Sequence, residues 1–512
     1  MIISFLLYLL LPSLFSTLSI SQPLRGRLID CGATFDTDFN GLKWLSDKDF
    51  ITTGLPRNLS IQYQDATLST VRTFPYENNL HKKFCYVVPV YRTGKYLVRT
   101  TYFYGGVNEN VNPPVFDQIV DGTFWVMVNT TNDYLRNLTS YYEGVFMATG
   151  KSMSVCLAAN QYTDSDPFMS ALELVLLDNS LYNSTDFTSF GLSLISRNSF
   201  GYNGSIIRYP DDVFDRYWEP YGDINSTASR IRDVEVSGFW NIPPLKVFQT
   251  QLSVNQPEQL EILWPSEPIP NSTYYIALYF ADDPGSSRVF SVYINGVQYY
   301  NDLNMTSDGV SIIAKQWPLA GLTNITLSPA AGSRIGPLIN AGEIFGILPL
   351  GGRTLTRDVI ALEKLKESFV YPPVDWTGDP CLPRGYSWTG VSCSEGPRIR
   401  VTNLNLTGMG LSGSISPSIA DLTGLSEIYL ANNNLEGSIP DFSTLKLLEI
   451  LHLEDNQITG EIPSSLGNME KLRGVFLQNN NLTGQVPGNL IGKPGLDFRY
   501  SPGNPSLSIP QS

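Results

Sequence analysis

The sequence predicts a mainly β fold, in which two tandem β-sandwich or jelly-roll units precede a short solenoid of repeats. Three observations carry this prediction. Apolar and polar residues alternate from about residue 28 to 350, and similar strand segments recur there after 166 to 178 positions. A shorter repeat of 23 or 24 residues follows, marked by leucines at 406, 430, 453 and 477. The 34 prolines and 42 glycines fit short strands and turns better than long helices.

Composition argues against catalysis and against anionic partners. The 512 residues suggest several domains, and their formal net charge of −14 excludes a dominant basic face, so we expect no nucleic-acid partner. The two histidines, His81 and His452, and the five dispersed cysteines show no zinc-type spacing. No phosphate-binding loop, dinucleotide-binding turn or kinase signature is present. We therefore predict a binding protein with no catalytic residues, cofactor or metal.

The chain begins with an uncharged apolar segment that is typical of a secretory signal peptide. The apolar run from Ile2 to Leu11 is followed by Ser19-Ile-Ser21, the small residues that signal peptidase needs, so we predict a signal peptide over residues 1–21. A membrane anchor is the alternative, but Pro12 interrupts the run well short of the roughly 20 residues that a spanning helix needs. No second apolar stretch of that length follows, so we expect a secreted, extracellular protein.

Eleven Asn-X-Ser/Thr acceptor sites agree with export, since surface glycans are typical of extracellular proteins. The alternative is chance, because Asn, Ser and Thr are common in this chain. The predicted glycosylation sites are Asn58, Asn129, Asn137, Asn183, Asn203, Asn225, Asn271, Asn304, Asn324, Asn405 and Asn481.

Two matching series of strands fill the first 350 residues. Residues 95–104 and 274–280 place alternate side chains on one face, and each segment precedes a second strand, at 124–129 and 290–295. The two series end alike at 172–177 and 342–348. Asn295-Gly296 is a strong signal for a two-residue hairpin. Because no helical pattern intervenes, we predict two packed sheets in each copy.

Four segments in this region resemble plant malectin-like domains. They are Leu28-Ile-Asp-Cys-Gly32, Cys85-Tyr-Val-Val-Pro89, Val155-Cys-Leu157 followed by Leu172-Glu-Leu174, and Tyr209-Pro-Asp-Asp-Val-Phe-Asp-Arg-Tyr-Trp218. The resemblance covers roughly residues 24–350 and implies one malectin-like domain over 24–200 and a second over 201–350.

The resemblance also implies candidate sugar contacts, because animal malectin binds a diglucoside through aromatic and acidic residues on loops. Aromatic rings stack on the apolar faces of sugars. The alternative is that strand aromatics at period two are core or domain-interface residues, which is the more frequent outcome. The candidates are Tyr102, Tyr104, Trp125, Tyr217, Trp218 and Tyr221.

Three cysteines fall in the malectin-like region. We predict a Cys31–Cys85 disulfide, with Cys156 left as a buried thiol inside a strand. The odd number of cysteines leaves an intermolecular bridge as the alternative.

A helix and a cap follow the β units, in a region that we place at residues 351–398. Arg353 to Phe369 shows helical spacing, with Thr356 as a predicted N-cap. The segments Asp375-Trp-Thr-Gly-Asp-Pro-Cys381 and Trp388-Thr-Gly-Val-Ser-Cys393 resemble the N-terminal cap of plant leucine-rich repeats. That resemblance implies a Cys381–Cys393 disulfide that covers the first repeat. A metal site is the alternative, but no histidine lies nearby.

About four leucine-rich repeats of the plant extracellular type are predicted over residues 399–505, followed by a tail over 506–512. Each repeat has an L-x-L strand, then Asn-x-Leu and Gly-x-Ile-Pro. Outward strand residues line the concave face, where Tyr429, His452 and Phe476 form an aromatic row that suggests a protein or peptide contact. The alternative is that a neighbouring domain covers this row. A glycan on Asn405 would crowd one end of it.

In this order the parts resemble the ectodomain of plant leucine-rich-repeat receptor-like kinases and of kinase-less receptor-like proteins, with symbiosis receptor kinases among them. Thr377-Gly-Asp-Pro-Cys381 matches the link between the two regions in those receptors. The resemblance implies a non-catalytic recognition protein in the apoplast, in the cell wall or at the cell surface. It would bind an extracellular peptide, a receptor-kinase co-receptor or a wall glycan. The chain contains no kinase and no predicted membrane span.

Two other functions are considered. The first is a wall carbohydrate-binding protein for a diglucoside-like ligand, with the repeats as scaffold. The second is a glycoside hydrolase, which needs two carboxylates that face each other across a cleft. Asp211-Asp212 and Asp282-Asp283 are adjacent in sequence, and neighbours on a strand point to opposite faces. We therefore interpret them as turn and loop residues.

Overall fold

The computed structural model describes residues 26–59, 66–76, 82–108, 112–222, 234–254, 256–282, 288–305 and 308–509. The predicted signal peptide lies outside the described residues, and so do His81, Asn225 and Asp283. Within these ranges, no helix is both long and apolar enough to cross a membrane.

Over its described residues, the first β unit has thirteen strands and one short α-helix, α1 (Thr131–Leu135). The strands are β1 (Gly26–Asp30), β2 (Thr37–Phe39), β3 (Leu42–Ser46), β4 (Leu55–Asn58), β5 (Thr70–Thr73), β6 (Lys83–Pro89), β7 (Lys95–Tyr102), β8 (Phe116–Val120), β9 (Thr123–Val128), β10 (Ser140–Met147), β11 (Ser152–Ala159), β12 (Phe168–Met169) and β13 (Ala171–Leu176).

The second unit adds eleven strands in the described part of the chain. They are β14 (Phe190–Phe200), β15 (Glu219–Tyr221), β16 (Leu252–Ser253), β17 (Leu260–Leu263), β18 (Ile269–Phe280), β19 (Val289–Ile294), β20 (Val297–Asn304), β21 (Val310–Gly321), β22 (Asn324–Pro329), β23 (Leu338–Ile339) and β24 (Ala341–Pro349).

The two units repeat one topology, as the duplication in the sequence predicts. The strand order β3-β1-β13-β7-β10 of the first unit matches β15-β14-β24-β18-β21 of the second. The facing sheets, β6-β11-β8-β9 and β17-β22-β19-β20, match as well. Strand pairing therefore groups β14 with the second unit, although the sequence analysis placed residues up to 200 in the first.

The predicted equivalence of segments 124–129 and 290–295 is wrong by one strand. By topology β8 corresponds to β19 and β9 to β20. Both copies turn through a two-residue hairpin, Asp121-Gly122 in the first and Asn295-Gly296 in the second, and all four residues have positive φ values. The sequence analysis recognised only the Asn-Gly turn, so it matched the strand after the first hairpin with the strand before the second.

The central sheet is buried on both faces. In β7, Tyr96, Val98 and Tyr102 pack into the first sandwich core, whereas Leu97 packs into a second cluster on the opposite face. That second cluster draws on both units, since it includes Trp44 and Phe345. Because neither face of β7 meets solvent, alternation along this strand does not separate buried from exposed side chains.

Pairing of β10 with β14 joins the units into an 11-stranded sheet. The two strands pair at only two positions, Gly144 with Ser193 and Val145 with Leu192. A buried ionic network reinforces this short contact. Arg197 donates to Glu143 Oε1 of β10 (2.6 Å) and to Glu343 Oε2 of β24 (3.1 Å). All three side chains are fully buried, so the charges stabilise one another without help from solvent.

The network extends through Arg99 of β7. Its guanidinium donates to Glu143 Oε2 (2.9 Å) and to Glu173 Oε2 (2.9 Å), and it pairs with Asp215 (3.3 Å). Asp215 belongs to the segment between β14 and β15 in the second unit. The Arg99–Asp215 ion pair is therefore a second charged contact between the two units. The sequence analysis did not predict this network.

The structure contradicts the predicted Cys31–Cys85 disulfide. Cys85 of β6 and Cys156 of β11 lie directly opposite each other, with Cα atoms 3.9 Å apart, and form a disulfide. Cys31 follows β1 in the other sheet and is a buried free cysteine, and burial raises the pKa of its thiol. Because β6 pairs with β11, Cys85 bonds to Cys156 and not to Cys31. Cys381 and Cys393 form the second disulfide, as the resemblance to a repeat cap implies.

A cap connects the β units to the repeats. Helix α2 (Thr356–Ser368) begins one residue earlier than the predicted N-cap at Thr356 implies, because Leu355 takes the N-cap position. The cap packs on the first β unit through a buried lysine. Lys83 Nζ donates to the carbonyl oxygens of Asp379 (2.6 Å), Leu382 (2.6 Å) and Tyr386 (2.5 Å).

The Gly-Asp-Pro-Cys segment lies at this joint. Gly378 has a φ of +68°, and a Cβ atom there would lie 2.7 Å from Cys85 Sγ, so the disulfide requires glycine above it. Asp379 Oδ1 accepts from the amides of Cys381 (2.9 Å) and Leu382 (3.0 Å), while Oδ2 accepts from the amide of Thr354 (2.9 Å). The segment therefore contacts the first β unit and orders the cap at the same time.

The repeats form a solenoid with a concave sheet. Its order is β25 (Val391–Cys393), β26 (Val401–Asn405), β28 (Glu427–Tyr429), β30 (Ile450–His452), β32 (Gly474–Phe476) and β34 (Asp497–Arg499). The strands from β26 onward are parallel, and β25 of the cap pairs antiparallel with β26. A second set of short strands lies on the other side: β27 (Ser412–Ser414), β29 (Asn434–Glu436), β31 (Thr459–Gly460), β33 (Asn481–Gln485) and β35 (Ser506–Ser508).

Buried asparagines hold successive turns together. Asn433 Nδ2 donates to the carbonyl of Leu406 (2.9 Å), and Asn456 Nδ2 to that of Leu430 (2.9 Å). Asn504 repeats the pattern by donating to the carbonyl of Leu477 (2.8 Å). Residues 497–508 therefore form a fifth turn, and β35 lies in the segment that the sequence analysis called a tail.

Candidate binding surface

Four of the six candidate sugar contacts are core residues. Tyr102, Tyr104, Trp125 and Trp218 are at most 5% exposed. Tyr102 donates to Gln118 Oε1 (2.5 Å), and Trp218 Nε1 donates to Asp212 Oδ2 (2.7 Å). Since buried rings cannot stack on a sugar, the prediction of ligand contact is wrong at these four positions.

The other two candidates are half-buried and have partners within the protein. The Tyr217 ring centroid lies 3.5 Å from the Arg99 guanidinium and 4.5 Å from that of Arg208. The Tyr221 hydroxyl donates to the carbonyl of Leu263 (2.7 Å), and its ring packs against Phe200. Both rings therefore stabilise the second unit's opening segment rather than presenting a free face.

The described carboxylates of the two Asp-Asp pairs form ion pairs within the protein. Asp211 pairs with Lys246 (2.7 Å), and Asp212 is buried against Arg216 (2.9 Å). Asp282 pairs with Arg288 (2.5 Å), while Asp283 lies outside the described residues. Each of these described carboxylates is therefore paired with a lysine or arginine side chain rather than facing another carboxylate across a cleft.

The concave face brings the other three candidates together as one stacked column. The rings of Tyr429 and His452 lie 5.0 Å apart at 18°, and those of His452 and Phe476 lie 4.1 Å apart at 8°. The Arg499 guanidinium continues the column 5.2 Å from the Phe476 centroid. Parallel pairing of β28, β30, β32 and β34 places these four residues in register. The side chains are half-buried, except for the exposed Arg499, so one edge of the column faces solvent.

The rows beside the column carry carboxylates. On one side Glu427 Oε2 accepts from Asn403 Nδ2 (2.5 Å) and from the Tyr429 hydroxyl (3.3 Å). On the other side Glu454 Oε1 lies 2.7 Å from His452 Nδ1. At the last strand Asp497 pairs with Arg499 (2.9 Å). The column is thus fixed in place by acidic neighbours.

Local charge shifts two pKa values on this face. Burial, together with the nearby Glu427 carboxylate, raises the pKa of Tyr429. The hydrogen bonds that Arg499 donates to the Asp497 carboxylate raise the pKa of Arg499. Tyr429 therefore keeps its proton and Arg499 its positive charge over the physiological range.

Gly474 provides room for the column at its narrowest point. A Cβ atom at this position would lie 3.0 Å from a ring carbon of Phe476 and 3.0 Å from Ile450 Cδ1. Any other side chain would require the Phe476 ring or Ile450 to shift by a few tenths of an ångström. The sequence analysis missed Gly474, Glu427 and the fifth-strand residues Asp497 and Arg499. Asn504 could have revealed that strand, since it follows Asn480 by one repeat length.

Among the described glycosylation sites, most asparagines are exposed, and Asn405 lies at the end of the aromatic row, paired in register with Tyr429. Asn324 differs, because it is half-buried in β22. Glycosylation at all eleven positions stays a prediction.

Three family models match parts of this chain. The family model for the malectin-like domain matches residues 29–347, that for the leucine-rich repeat N-terminal domain matches 355–394, and a leucine-rich repeat matches 447–469. The probable LRR receptor-like serine/threonine-protein kinase At1g67720 of Arabidopsis thaliana is 32% identical over 480 residues, covering 86% of this chain and 49% of the relative. The leucine-rich repeat receptor-like serine/threonine-protein kinase At2g14510 of the same plant is 32% identical over 446 residues, covering 81% and 49%.

Solved structures share the fold of the β units. The ANX2 ectodomain from Arabidopsis thaliana superimposes with a TM-score of 0.53 at 15% identity, covering 63% of this chain and 97% of that chain. A second match is one chain of the crystal structure of the plant peptide RALF23 in complex with FER and LLG2. It superimposes with a TM-score of 0.50 at 18% identity, covering 64% of this chain and 96% of that chain. The chain spans about half the length of the curated relatives it matches. With a family model matched over more than half of its residues, the chain belongs to the malectin-like family, here joined to leucine-rich repeats.

Proposed function

We propose that this chain is a non-catalytic extracellular recognition module of receptor-like type, which binds a peptide segment of a ligand or co-receptor on the concave face of its repeats. The observation that carries the proposal is the solvent-facing column of Tyr429, His452, Phe476 and Arg499. Ordered aromatic and arginine side chains are the residues that most often contribute binding energy at protein interfaces. Related ectodomains support the reading, since the FER structure contains the peptide RALF23 and LLG2.

Peptide selection tests the proposal. Linear peptides of about twelve residues are selected from a display library on the purified chain, and synthetic copies are titrated against variants. Phe476→Ala should weaken binding at least about tenfold, because it removes the ring that stacks between His452 and the Arg499 guanidinium. Tyr91→Ala, a 74% exposed tyrosine on the first β unit, is the matched control and should leave binding unchanged. Peptides that bind wild type and Phe476→Ala equally would show that the concave face is not the site.

We further propose that the chain is exported and glycosylated. The apolar segment over residues 1–21 and the exposed Asn-X-Ser/Thr sites support this. Expression in a secreting eukaryotic host, followed by N-terminal sequencing and glycopeptide mapping, tests it. A secreted product that begins near residue 22 and carries a glycan on Asn405 is expected. Retention of the uncleaved chain in the cytosol would contradict the proposal.

Carbohydrate binding is a second candidate function, favoured by one cleft of about 320 Å³ on the second β unit. Trp240 and Tyr300 line it and are 47% and 44% exposed, and Lys315 lies beside them. The amide of Trp240 donates to Ser311 Oγ (3.2 Å), which holds the residue against β21. A glycan array on the purified chain, repeated with Trp240→Ala, tests this candidate. Binding that survives the substitution would place any sugar site elsewhere.

A further inference from the structure

We infer that the concave face is selective for a cationic peptide, one that lays a lysine or arginine side chain on the aromatic column between two rows of carboxylates. This inference rests on the proposed function and names the class of ligand that the same surface would take. Three independent features of the face support it: its charge, its length and its unpaired acceptors.

The charge of the face is negative. Glu427, Glu454, Asp455 and Asp497 lie on the concave strands or shortly after them, where Arg499 is the one lysine or arginine of this described part of the chain. Directly before the strands, Arg473 is balanced by Glu449 on the neighbouring turn. Glu427 and Glu454 lie on opposite sides of the column, because they precede and follow its residues by two positions on neighbouring strands. A cation at the solvent-facing edge of Tyr429 and His452 would therefore have a carboxylate on each side, an arrangement that favours guanidinium and ammonium groups.

The same charges disfavour the other ligand classes considered for this face. Acidic polysaccharides and nucleic acids would meet the carboxylates directly, and like-charge contacts weaken binding. A neutral sugar would donate hydroxyl hydrogen bonds to the acidic rows but would gain no charge attraction from them. Arg499 does not reverse this preference, since Asp497 already pairs with it (2.9 Å).

The length of the column suits a short extended segment. Tyr429 and Arg499 are three strand spacings apart, which corresponds to about 14 Å at roughly 4.8 Å per strand. An extended chain covers that distance in about four residues. A ligand segment of this length can place one cationic and one apolar side chain on the column.

Two acceptors beside the column point to a missing donor. Over the part of the chain that the structure describes, Glu454 Oε2 and Gln478 Oε1 are buried and have no hydrogen-bond partner. The two residues occupy equivalent positions of neighbouring turns, because Asp455, next to Glu454, bonds through its amide to the Gln478 carbonyl. A buried acceptor without a donor is costly, and a guanidinium with five N–H groups could serve both after a small side-chain movement.

The test compares two charge-neutralising double variants with equal change in net charge. Glu427→Gln/Glu454→Gln alters the concave face, whereas Glu436→Gln/Glu461→Gln alters exposed carboxylates of the same repeats on the other side of the solenoid. Both are titrated with synthetic peptides selected on the wild type, at 50 and 300 mM NaCl, after thermal unfolding confirms that each is folded.

We expect Lys and Arg to be enriched in the selected peptides relative to the input library. We expect the concave double variant to weaken their binding about tenfold, with little change in the control variant. Selected peptides that need Phe476 but show no Lys/Arg enrichment, or no response to Glu427→Gln/Glu454→Gln, would overturn the cationic preference and leave the proposed function standing. Selected peptides that ignore Phe476 would overturn both.

Discussion

At the scale of single residues, the structure separates aromatic side chains that stabilise the fold from those available to a ligand. Trp218 is fully buried and donates to Asp212, whereas Tyr429 has one edge in solvent. We expect Trp218→Ala to lower the free energy of unfolding by about 3–5 kcal/mol, because it leaves a large cavity and removes one of the two donors to Asp212 Oδ2. Tyr429→Ala should cost less than about 1 kcal/mol. Urea denaturation of both variants checks this, and equal losses would contradict the assignment of Trp218 to the core.

Asp121 gives a pH-dependent prediction at the same scale. Burial, with a contribution from the Asp379 carboxylate, raises its pKa to about 6, although it accepts from the Ser154 amide (2.7 Å). An acid whose pKa is higher in the folded than in the unfolded chain, about 3.9, binds protons on folding. Its contribution to stability is therefore greatest below about pH 4 and falls as the pH rises to about 6.

Asp121→Asn should remove this dependence, because an amide keeps the Oδ1 acceptor and tolerates the positive φ of 45°. Between pH 4 and 7 we expect the wild type to lose about 2–3 kcal/mol relative to the variant, measured by urea denaturation at several pH values. Parallel stability curves for the two proteins would mean that Asp121 is ionised throughout.

These residues also show how far sequence reasoning reaches. The row of Tyr429, His452 and Phe476 was predictable because a 23- or 24-residue period fixes the register of each strand in a solenoid. The burial of Tyr102 and Trp218 was not, because a period of two assigns a face but not what covers it. In this fold a sheet covers one face of β7 and long connections cover the other. The Cys85–Cys156 bond was missed for a similar reason, since it depends on which strands pair.

At the scale of elements, the joint between the first β unit and the cap depends on a buried lysine. Burial lowers the pKa of Lys83 to about 8, and three cap carbonyls hold its ammonium. Lys83→Met keeps most of the aliphatic chain but leaves those carbonyls without a charged donor. We expect it to destabilise the joint by about 2–4 kcal/mol.

Limited proteolysis between the β units and the repeats measures this effect. Lys83→Met should be cleaved faster than the wild type in the segment that follows β24. Lys82→Met, which removes a half-buried lysine one position earlier, is the control and should behave like the wild type. Equal cleavage rates for Lys83→Met and Lys82→Met would show that the cap is held by its apolar contacts alone.

At the scale of the whole molecule, the β units share one sheet but little backbone pairing. Only two residue pairs join β10 to β14, so side chains must supply most of the coupling between the units. Arg197 is suited to this role, because it bonds to Glu143 of the first unit and Glu343 of the second, and all three are fully buried. Removing one partner of a buried ion pair leaves an uncompensated charge and costs about 3–5 kcal/mol.

Cooperative unfolding should therefore depend on Arg197. In scanning calorimetry we expect the wild-type β units to unfold in one transition. Arg197→Met should lower its midpoint and split it in two, because the charged link through Glu143 and Glu343 is then lost and only the longer Arg99–Asp215 ion pair (3.3 Å) remains. Adding Glu343→Gln should recover part of the loss, since it neutralises the carboxylate whose ion-pair partner was Arg197, whereas Glu143 keeps Arg99. A single transition with an unchanged midpoint in Arg197→Met would show that the two backbone pairs and the shared apolar cluster suffice to couple the units.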